Sequence, residues 1–501
     1  MNIFEKTIAA ISPSWAVSRL QNKAKIMAYE AAMPSRTHKA NRESRSANES
    51  VFLAGASLRE QARWLDENHD LAIGILDKLE ERVIGSRGVM IEPQPLNKKG
   101  DVHETFAEQI SRAWAEWSLR PEVTGTLSRP EMERMVFRSA ARDGEVFGQL
   151  VRGRAIGLDY PTAVSFAIEC LEADFVPLSM NEAANNVRQG IKVNAWGRPS
   201  AFGVLYQHPG ETVSMWGKVK WVPAESMLHL AHRKRLHQLR GISIFHGVIQ
   251  RLADIKDYEE AERVAARIAA CLGFYIKRGD QYFDPPAGEK QEQREFAISP
   301  GFTIDNLRPG EDIGMIESNR PNVHLYEFRN GQMRAVSAGT RSSYSSVSRD
   351  YNGSYSSQRQ ELVESQEGFA VLQDWFVSQW ARPVYREWLK MYLLTVTPPA
   401  DVDVNSLFNA MYMAPKMPWI NPQHEAVSWR TLVRGGAATE AEWIRARGGN
   451  PREVKRQRKA EIEYNNSNGL VFDSDASKVS NAGVQHAHLE QFDGPTGNEN
   501  G

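Results

Sequence analysis

Cysteine is almost missing: Cys170 and Cys271 are the only two in 501 residues. Each lies among apolar neighbours, in AIEC and AACLGF, as ordinary buried thiols of a reducing compartment do, so no disulfide framework is expected. Long apolar runs are missing as well. No stretch approaches the roughly 18 to 20 residues needed to cross a bilayer, so no membrane partner is expected. The opening MNIFEKTIAAISPSW carries Glu5 and Lys6 but neither a basic start nor a long apolar core, which argues against a secretory signal. A dominant charge is also absent. With 61 Lys and Arg against 62 Asp and Glu, the net charge is −1, unlike a protein that grips nucleic acid through many phosphate contacts.

Catalytic signatures are equally scarce. A phosphate-binding G-x-x-x-x-G-K-[ST] loop does not occur; the nearest candidate, Gly210, Gly217 and Lys218, has the wrong spacing and runs into Val219. H-E-x-x-H, paired C-x-x-C and G-x-S-x-G are absent too. His229, His232, His237 and His246 form a loose group better read as surface and packing histidines than as a metal site. Asp401 and Asp403, with Asp305, Glu311 and Asp312, could supply paired carboxylates to a metal-dependent nuclease. Their Pro- and Gly-flanked setting reads instead as solvated loops. No catalytic residue, metal or cofactor is expected, and the chain reads as a non-enzyme.

What is present is a globular composition, 41% hydrophobic and 25% charged, in a chain long enough for about three domains. Residues 1–56 read as a basic mobile arm, with Arg19, Lys23, Lys25, Arg36, Lys39, Arg42 and Arg45. Order is expected from Ser57, which with Glu60 makes a capping box. One long helix then carries Leu58, Ala62, Leu65, Ala72, Leu76, Leu79 and Val83 on one face, with His69 a packed or capping residue on the same stripe. Further helices are expected at about 101–118 and from Ser128 to Gly144. Short β-rich runs follow, among them EVFGQLVR, SFAIECLE and SMLHLA, so 57–241 reads as one α+β domain. A helix over 242–272 would extend about 45 Å. Of the thirteen tryptophans, Trp114, Trp375, Trp380 and Trp388 lie at helical spacings and are expected in the core rather than stacked on bases.

Residues 340–357, TRSSYSSVSRDYNGSYSS, show no apolar periodicity and read as a loop. The amphipathic run beyond it should bend at Pro383, whose ring removes a backbone hydrogen bond and clashes with the preceding turn. Helices are expected at 423–434 and 439–464, and the polar stretch 465–501 reads as a disordered tail.

The order helix, β-rich insertion, helix, Ser-rich loop and long kinked helix resembles that of tailed-phage portal proteins. The segment AVSAGTRSSYSSVSRDYNGSYSSQRQELVESQ, residues 335–366, is similar to the signature of the lambda-type portal family: a turn leading into a Tyr/Ser loop, then a Tyr-Ser-Ser-x-Arg helix start. WLDENHDLAIGILDKLEERVIG (64–85), RGISIFHGVIQRLADIKDYEEAE (240–262) and INPQHEAVSWRTLVRGG (420–436) match in the same order. Two places depart from the usual pattern: Pro-Gln-His-Glu at 422–425, and Thr340 and Arg341 where a Gly-Leu-Gly run is common.

The resemblance implies an α+β portal-type subunit. Its parts would be a wing at 57–241, a first stem helix at 242–272, a β-rich clip at 273–321 and a second stem helix at 322–339. A tunnel loop at 340–357, a long kinked helix returning to the wing at 358–414 and a helical crown at 415–464 would follow. It further implies a ring of about twelve copies at one capsid vertex, channelling double-stranded DNA during packaging and ejection. The terminase large subunit, a head-tail connector, and the major capsid and scaffold proteins would be partners, in the host cytoplasm during assembly and then in the virion. Arg341, Tyr344, Arg349, Asp350, Tyr351, Gly353, Tyr355 and Arg359 would face the channel. Arg341 and Arg349 would form positive rings, partly offset by Asp350, and Gly353 would let the loop bend. The competing readings are a capsid or scaffold component without DNA contact, and a packaging nuclease.

Overall fold

The computed structural model describes residues 42–211, 218–270, 274–278, 311–315, 325–416 and 421–472, with a few isolated positions before residue 42. The first helix, α1 (Ala47–Asn68), starts ten residues ahead of the expected capping box because Ser46 takes the cap, accepting from the Glu49 N–H. It does not run through to Gly85. His69 ends α1 in an extended conformation and caps α2 (Asp70–Val83), where its Nδ1 accepts from the Leu71 N–H. The expected packed or capping histidine is therefore found, but as a helix break rather than as part of one stripe. Its Nε2 meets the Leu252 carbonyl at 2.8 Å, which ties the break to a distant helix.

Helices α3 (Glu104–Trp117) and α4 (Arg129–Asp143) follow, after a short strand β1 (Met90–Pro93). Ser128 and Glu131 make a reciprocal capping box on α4, and Gly144 closes it in the left-handed region at φ 93°. Directly beyond lies β2 (Glu145–Arg152), central in a three-stranded antiparallel sheet between β3 (Phe166–Glu172) and β8 (Met227–Ala231). A second antiparallel sheet contains, in order, β4 (Val187–Arg188), β5 (Ile191–Val193), β6 (Pro199–Leu205) and β7 (Val219–Pro223). Cys170, expected to be buried, is exposed on the edge strand β3, and Cys271 lies outside the described residues.

Helix α5 (Ile249–Ala270), entered through a 3-10 turn at Ile244–Gly247, is about 33 Å long at 1.5 Å per residue. Beyond it β9 (Phe274–Arg278) and β10 (Glu311–Met315) form an antiparallel pair, and α6 (Leu325–Thr340) returns to pack on α5. A short helix α7 (Tyr344–Ser348) then precedes α8 (Tyr355–Phe376). Where a bend was expected at Pro383, a π turn at Val377–Ala381 precedes α9 (Arg382–Tyr392), with Pro383 in its first turn. The wider hydrogen-bonding step of the π turn leaves room for a proline ring one turn later.

The main core joins the helices to the three-stranded sheet, and a second cluster around Phe147, Ile191, Phe202 and Val222 packs the second sheet. Trp114 stacks on Trp117 at 4.8 Å and meets Trp388 edge-on at 5.0 Å, and Trp388 stacks on Tyr392 at 5.3 Å. The Trp117 indole donates to the Phe166 carbonyl at 2.8 Å, so this aromatic layer also holds the edge of the sheet. Trp380 is fully buried against β2, where a Cβ on Gly148 would come within 2.6 Å of its ring. Of the four tryptophans expected in the core, Trp114, Trp380 and Trp388 are buried and Trp375 packs half-buried against the same core.

Late in the chain β11 (Ala410–Met413) pairs with β1, bringing residue 413 beside residue 90. The expected helix at 439–464 is two: α11 (Glu440–Ala446) and α12 (Pro451–Ser467), with α10 (Pro422–Arg434) ahead of them. Gly448, at φ 76°, and Pro451 account for the break. Helix α12 also runs past the expected start of the tail, through Ser467, while 473–501 lie outside the described residues. These last helices attach through Arg445, whose Nε donates to the buried Glu92 carboxylate at 3.0 Å.

Candidate functional site

The Tyr/Ser segment is more structured than a loop. Thr340 ends α6 with its buried hydroxyl donating to the Val336 carbonyl at 3.0 Å. Arg341 then turns the chain at φ 59°, and α7 begins after the buried Ser342 and Ser343. Serine hydroxyls return to backbone groups along this stretch, so a sequence without apolar periodicity still forms a helical turn. Val347 is buried in the main core, α7 packs on α2 and α6, and the Ser345 N–H donates to Glu361 of α8 at 3.0 Å. Arg349 ends the turn at φ 56°. The left-handed positions are thus two arginines, and Gly353 needs no positive φ.

The eight candidate residues divide into two sets. Tyr344 is half-buried, with the Arg334 guanidinium 5.2 Å from its ring centre. Asp350 accepts from the Asn352 N–H at 3.0 Å and the Tyr326 hydroxyl at 2.9 Å, and these donors hold its carboxyl below the usual range. Arg341, Arg349, Tyr351, Gly353, Tyr355 and Arg359 are exposed. Ser354 caps α8 by accepting from the Ser357 N–H, and the Gln358 amide donates to the Tyr351 carbonyl. These bonds make 351–358 a fixed knuckle at the start of the long helix.

Sequence reasoning missed a second group beside Arg341. The chain leaving β8 carries His232, Arg233, Lys234 and Arg235, and α6, which ends one residue before Arg341, packs on the Ile244–Gly247 turn that carries His246, so the Arg341 charge is felt at both His232 and Lys234. The Lys234 ammonium donates to His246 Nε2 at 3.0 Å. The cation-rich run HRKRLHQLR at 232–240 was the available signal.

The histidines do not converge on a metal. His229 Nε2 donates to Glu145 at 2.9 Å, His232 Nδ1 pairs with the Ile242 carbonyl at 3.0 Å, and His246 Nδ1 with that of Ser243 at 2.9 Å. Glu172, Asp174 and His208 are close enough together to hold an ion. The Arg63 guanidinium lies 2.5 Å from Asp174 and 3.4 Å from Glu172, so a built-in cation already occupies that role. Among the described residues, the acids considered for a nuclease form no group that could hold a metal ion. Asp401 meets His103 at 3.3 Å, Asp403 caps a 3-10 turn, Glu311 and Asp312 lie on β10, and Asp305 is outside the described residues.

The most elaborate polar cluster surrounds Glu145 at the start of β2. Glu145 Oε1 accepts from Arg240 Nε at 2.8 Å and Arg59 Nη2 at 3.2 Å; Oε2 accepts from His229 and from the Gly241 N–H at 3.0 Å. Burial alone would raise the Glu145 carboxyl, but the Arg240 guanidinium and His229 hold it far below its usual range. Burial likewise pushes His229 down to about 4, only partly opposed by Glu145. All of these donors to Glu145 are protein groups, from α1, β8 and residues 240–241, so the cluster clamps β2 to its surroundings.

The family description "Phage portal protein, lambda family" matches residues 33–373. The chain is 22% identical over 470 residues to a probable portal protein of Halomonas phage phiHAP-1, covering 90% of this chain and 88% of that one. Portal protein B of Escherichia phage lambda is 22% identical over 426 residues, covering 77% and 79%. Among solved structures, the neck of a native gene transfer agent particle, computed with C12 symmetry, aligns with a TM-score of 0.44 at 12% identity, over 79% of this chain and 94% of that chain. The family match runs through α1 to α4 and both sheets, α5, β9, β10, α6 and the Tyr/Ser segment into α8, and the chain therefore belongs to the lambda family of phage portal proteins and is a portal subunit.

Proposed function

We propose that the chain assembles as a closed ring of about twelve copies at one capsid vertex and forms the channel through which double-stranded DNA enters and leaves. Closed cyclic symmetry requires each subunit to present two different, complementary faces to its neighbours. In this reading residues 57–241 with β1 and β11 form the wing, α5 and α6 the stem, β9 and β10 the clip, and α10 to α12 the crown. The observation that carries the reading is the family match across 33–373, which includes the helix, strand-pair, helix and Tyr/Ser order.

The exposed Arg341, Arg349 and Arg359 supply a few phosphate contacts per subunit, while a chain charge of −1 avoids a uniformly basic wall that would retain DNA. Tyr351 and Tyr355, both more than half exposed, present flat amphipathic surfaces at the same knuckle. ATP hydrolysis and DNA cleavage fall to a separate terminase, whose large subunit docks at the clip during filling. A head-tail connector takes its place afterwards, with capsid and scaffold proteins contacting the wing. Assembly takes place in the host cytoplasm and ends in the virion.

Negative-stain electron microscopy with mass determination of the full-length protein tests this. Rings of about twelve subunits with an axial hole are expected; a persistent monomer at high concentration would overturn the reading.

A further inference from the structure

Residues 233–237 of the connector leaving β8 are exposed, Leu236 by 91%. Three of the five are cations. Among the described residues, Arg233, Lys234, Arg235 and Arg341 form no ion pair with a carboxylate. The carboxylates that act on Arg233 and Arg235 are engaged elsewhere: Glu145 is shared by Arg59, Arg240 and His229, and Glu43 pairs with Arg45.

Neutral acceptors hold these cations in place instead. Arg233 Nε donates to the Leu239 carbonyl at 3.2 Å and its Nη2 to His229 Nδ1 at 3.1 Å. Arg235 Nη1 donates to the Arg45 carbonyl at 3.0 Å. His246 orients the Lys234 ammonium: its Nδ1 hydrogen goes to the Ser243 carbonyl, which leaves Nε2 as the acceptor. Burial and the neighbouring Arg341 both work against the charge on Lys234. Like charges are thus gathered from two distant parts of the chain beside carboxylates that other arginines already engage, an arrangement that an external anion relieves.

We propose that Lys234, Arg235 and Arg341, with His246 as a positioning residue for Lys234, form a phosphodiester-binding patch for the backbone of double-stranded DNA. The inference rests on the portal reading for the presence of DNA, and it assigns contact to the connector after β8 as well as to the Tyr/Ser segment. A polyanion fits better than an acidic side chain of a neighbouring copy. A single carboxylate neutralises one cation, whereas duplex DNA presents a charge about every 1.7 Å along its axis. The patch also borders the basic arm in space: Arg235 donates to the carbonyl of Arg45, the last residue of a stretch from 19 to 45 that carries seven cations and two acids. Lysine binds a phosphate as a point charge and arginine as a fork, so the pair tolerates a sliding backbone without reading bases.

The test uses full-length protein carrying K234Q/R341Q, with the exposed pair K98Q/K99Q as a control of equal charge change. Binding of a labelled duplex of about 30 base pairs is followed by fluorescence anisotropy at roughly 50 to 200 mM salt. K234Q/R341Q should weaken binding at least about tenfold at the low end and flatten the salt dependence by about two in log–log slope, while the control changes neither. Wild-type affinity and slope in K234Q/R341Q would overturn the proposal. If rings still form in that case, the portal reading stands without this patch. Loss of rings with unchanged DNA binding would also overturn it, by assigning the patch to contact between copies. Failure of the wild type to form rings would sink the portal reading alone, because the anisotropy comparison still decides the patch.

Discussion

Replacing His229 by glutamine should flatten the pH dependence of this protein's stability between about pH 6.5 and 4. The ring is almost wholly buried, stacked on Phe147 at 4.4 Å and edge-on to Phe202 at 5.7 Å. Its Nε2 hydrogen goes to Glu145, and its bare Nδ1 accepts from Arg233 at 3.1 Å, with Arg240 nearby. A second proton would have to sit on Nδ1, facing the Arg233 guanidinium. Burial has pushed the folded-state value down to about 4, whereas the unfolded chain takes up that proton near 6.5. The unfolded state therefore holds one proton more between those limits, and stability falls as pH falls, about tenfold in the folding equilibrium per pH unit and about 3 kcal/mol over the window. His232 and His246 are also lowered by burial and share the window, but they stay in both proteins and cancel in the comparison. Glu145 acts lower down: its depressed carboxyl contributes stability that is present above its unfolded value and lost as pH falls beneath it. Urea midpoints followed by tryptophan fluorescence at several pH values measure the effect. A glutamine variant with the wild-type slope from pH 6.5 to 4 would refute the assignment of that proton to His229.

Two further outcomes follow from packing. A Cβ on Gly241 would lie 1.9 Å from the Gly144 carbonyl oxygen, so Gly241→Ala should prevent the sheet from seating against the 241–242 backbone, read out as insoluble protein or loss of the cooperative melt by circular dichroism. A soluble variant melting within a few degrees of wild type would contradict that close approach. Trp117→Ala removes a fully buried indole, its stack on Trp114 and its bond to the Phe166 carbonyl, and should cost about 3 to 5 kcal/mol in urea unfolding.

Much of the helical framework was legible because it rests on local chemistry. Ser128, Pro130, Glu131 and Gly144 mark α4 at both ends, since a capping box and a left-handed glycine act within a few residues of the helix they bound. The tryptophan spacing announced a core because apolar side chains three or four apart share a helix face. The break at His69 was not legible, since it depends on the Leu252 carbonyl 183 positions away. Nor was α7, whose Val347 is buried only because α2 and α6 surround it.

The candidate site divides in the same way. Family membership and the Tyr/Ser segment could be read from residue order alone, because a motif is a linear pattern. Which members of that segment face outward was decided by tertiary packing: Tyr344 turned inward beside Arg334, and Asp350 engaged by Tyr326, while Arg341, Arg349, Tyr351 and Tyr355 stayed exposed. The meeting of Lys234 with Arg341 belongs to the fold alone, because the residues are 107 positions apart and electrostatic proximity is a property of distance in space. Sequence determined the elements and the family; the long-range contacts, which no local pattern encodes, determined which charges stand together.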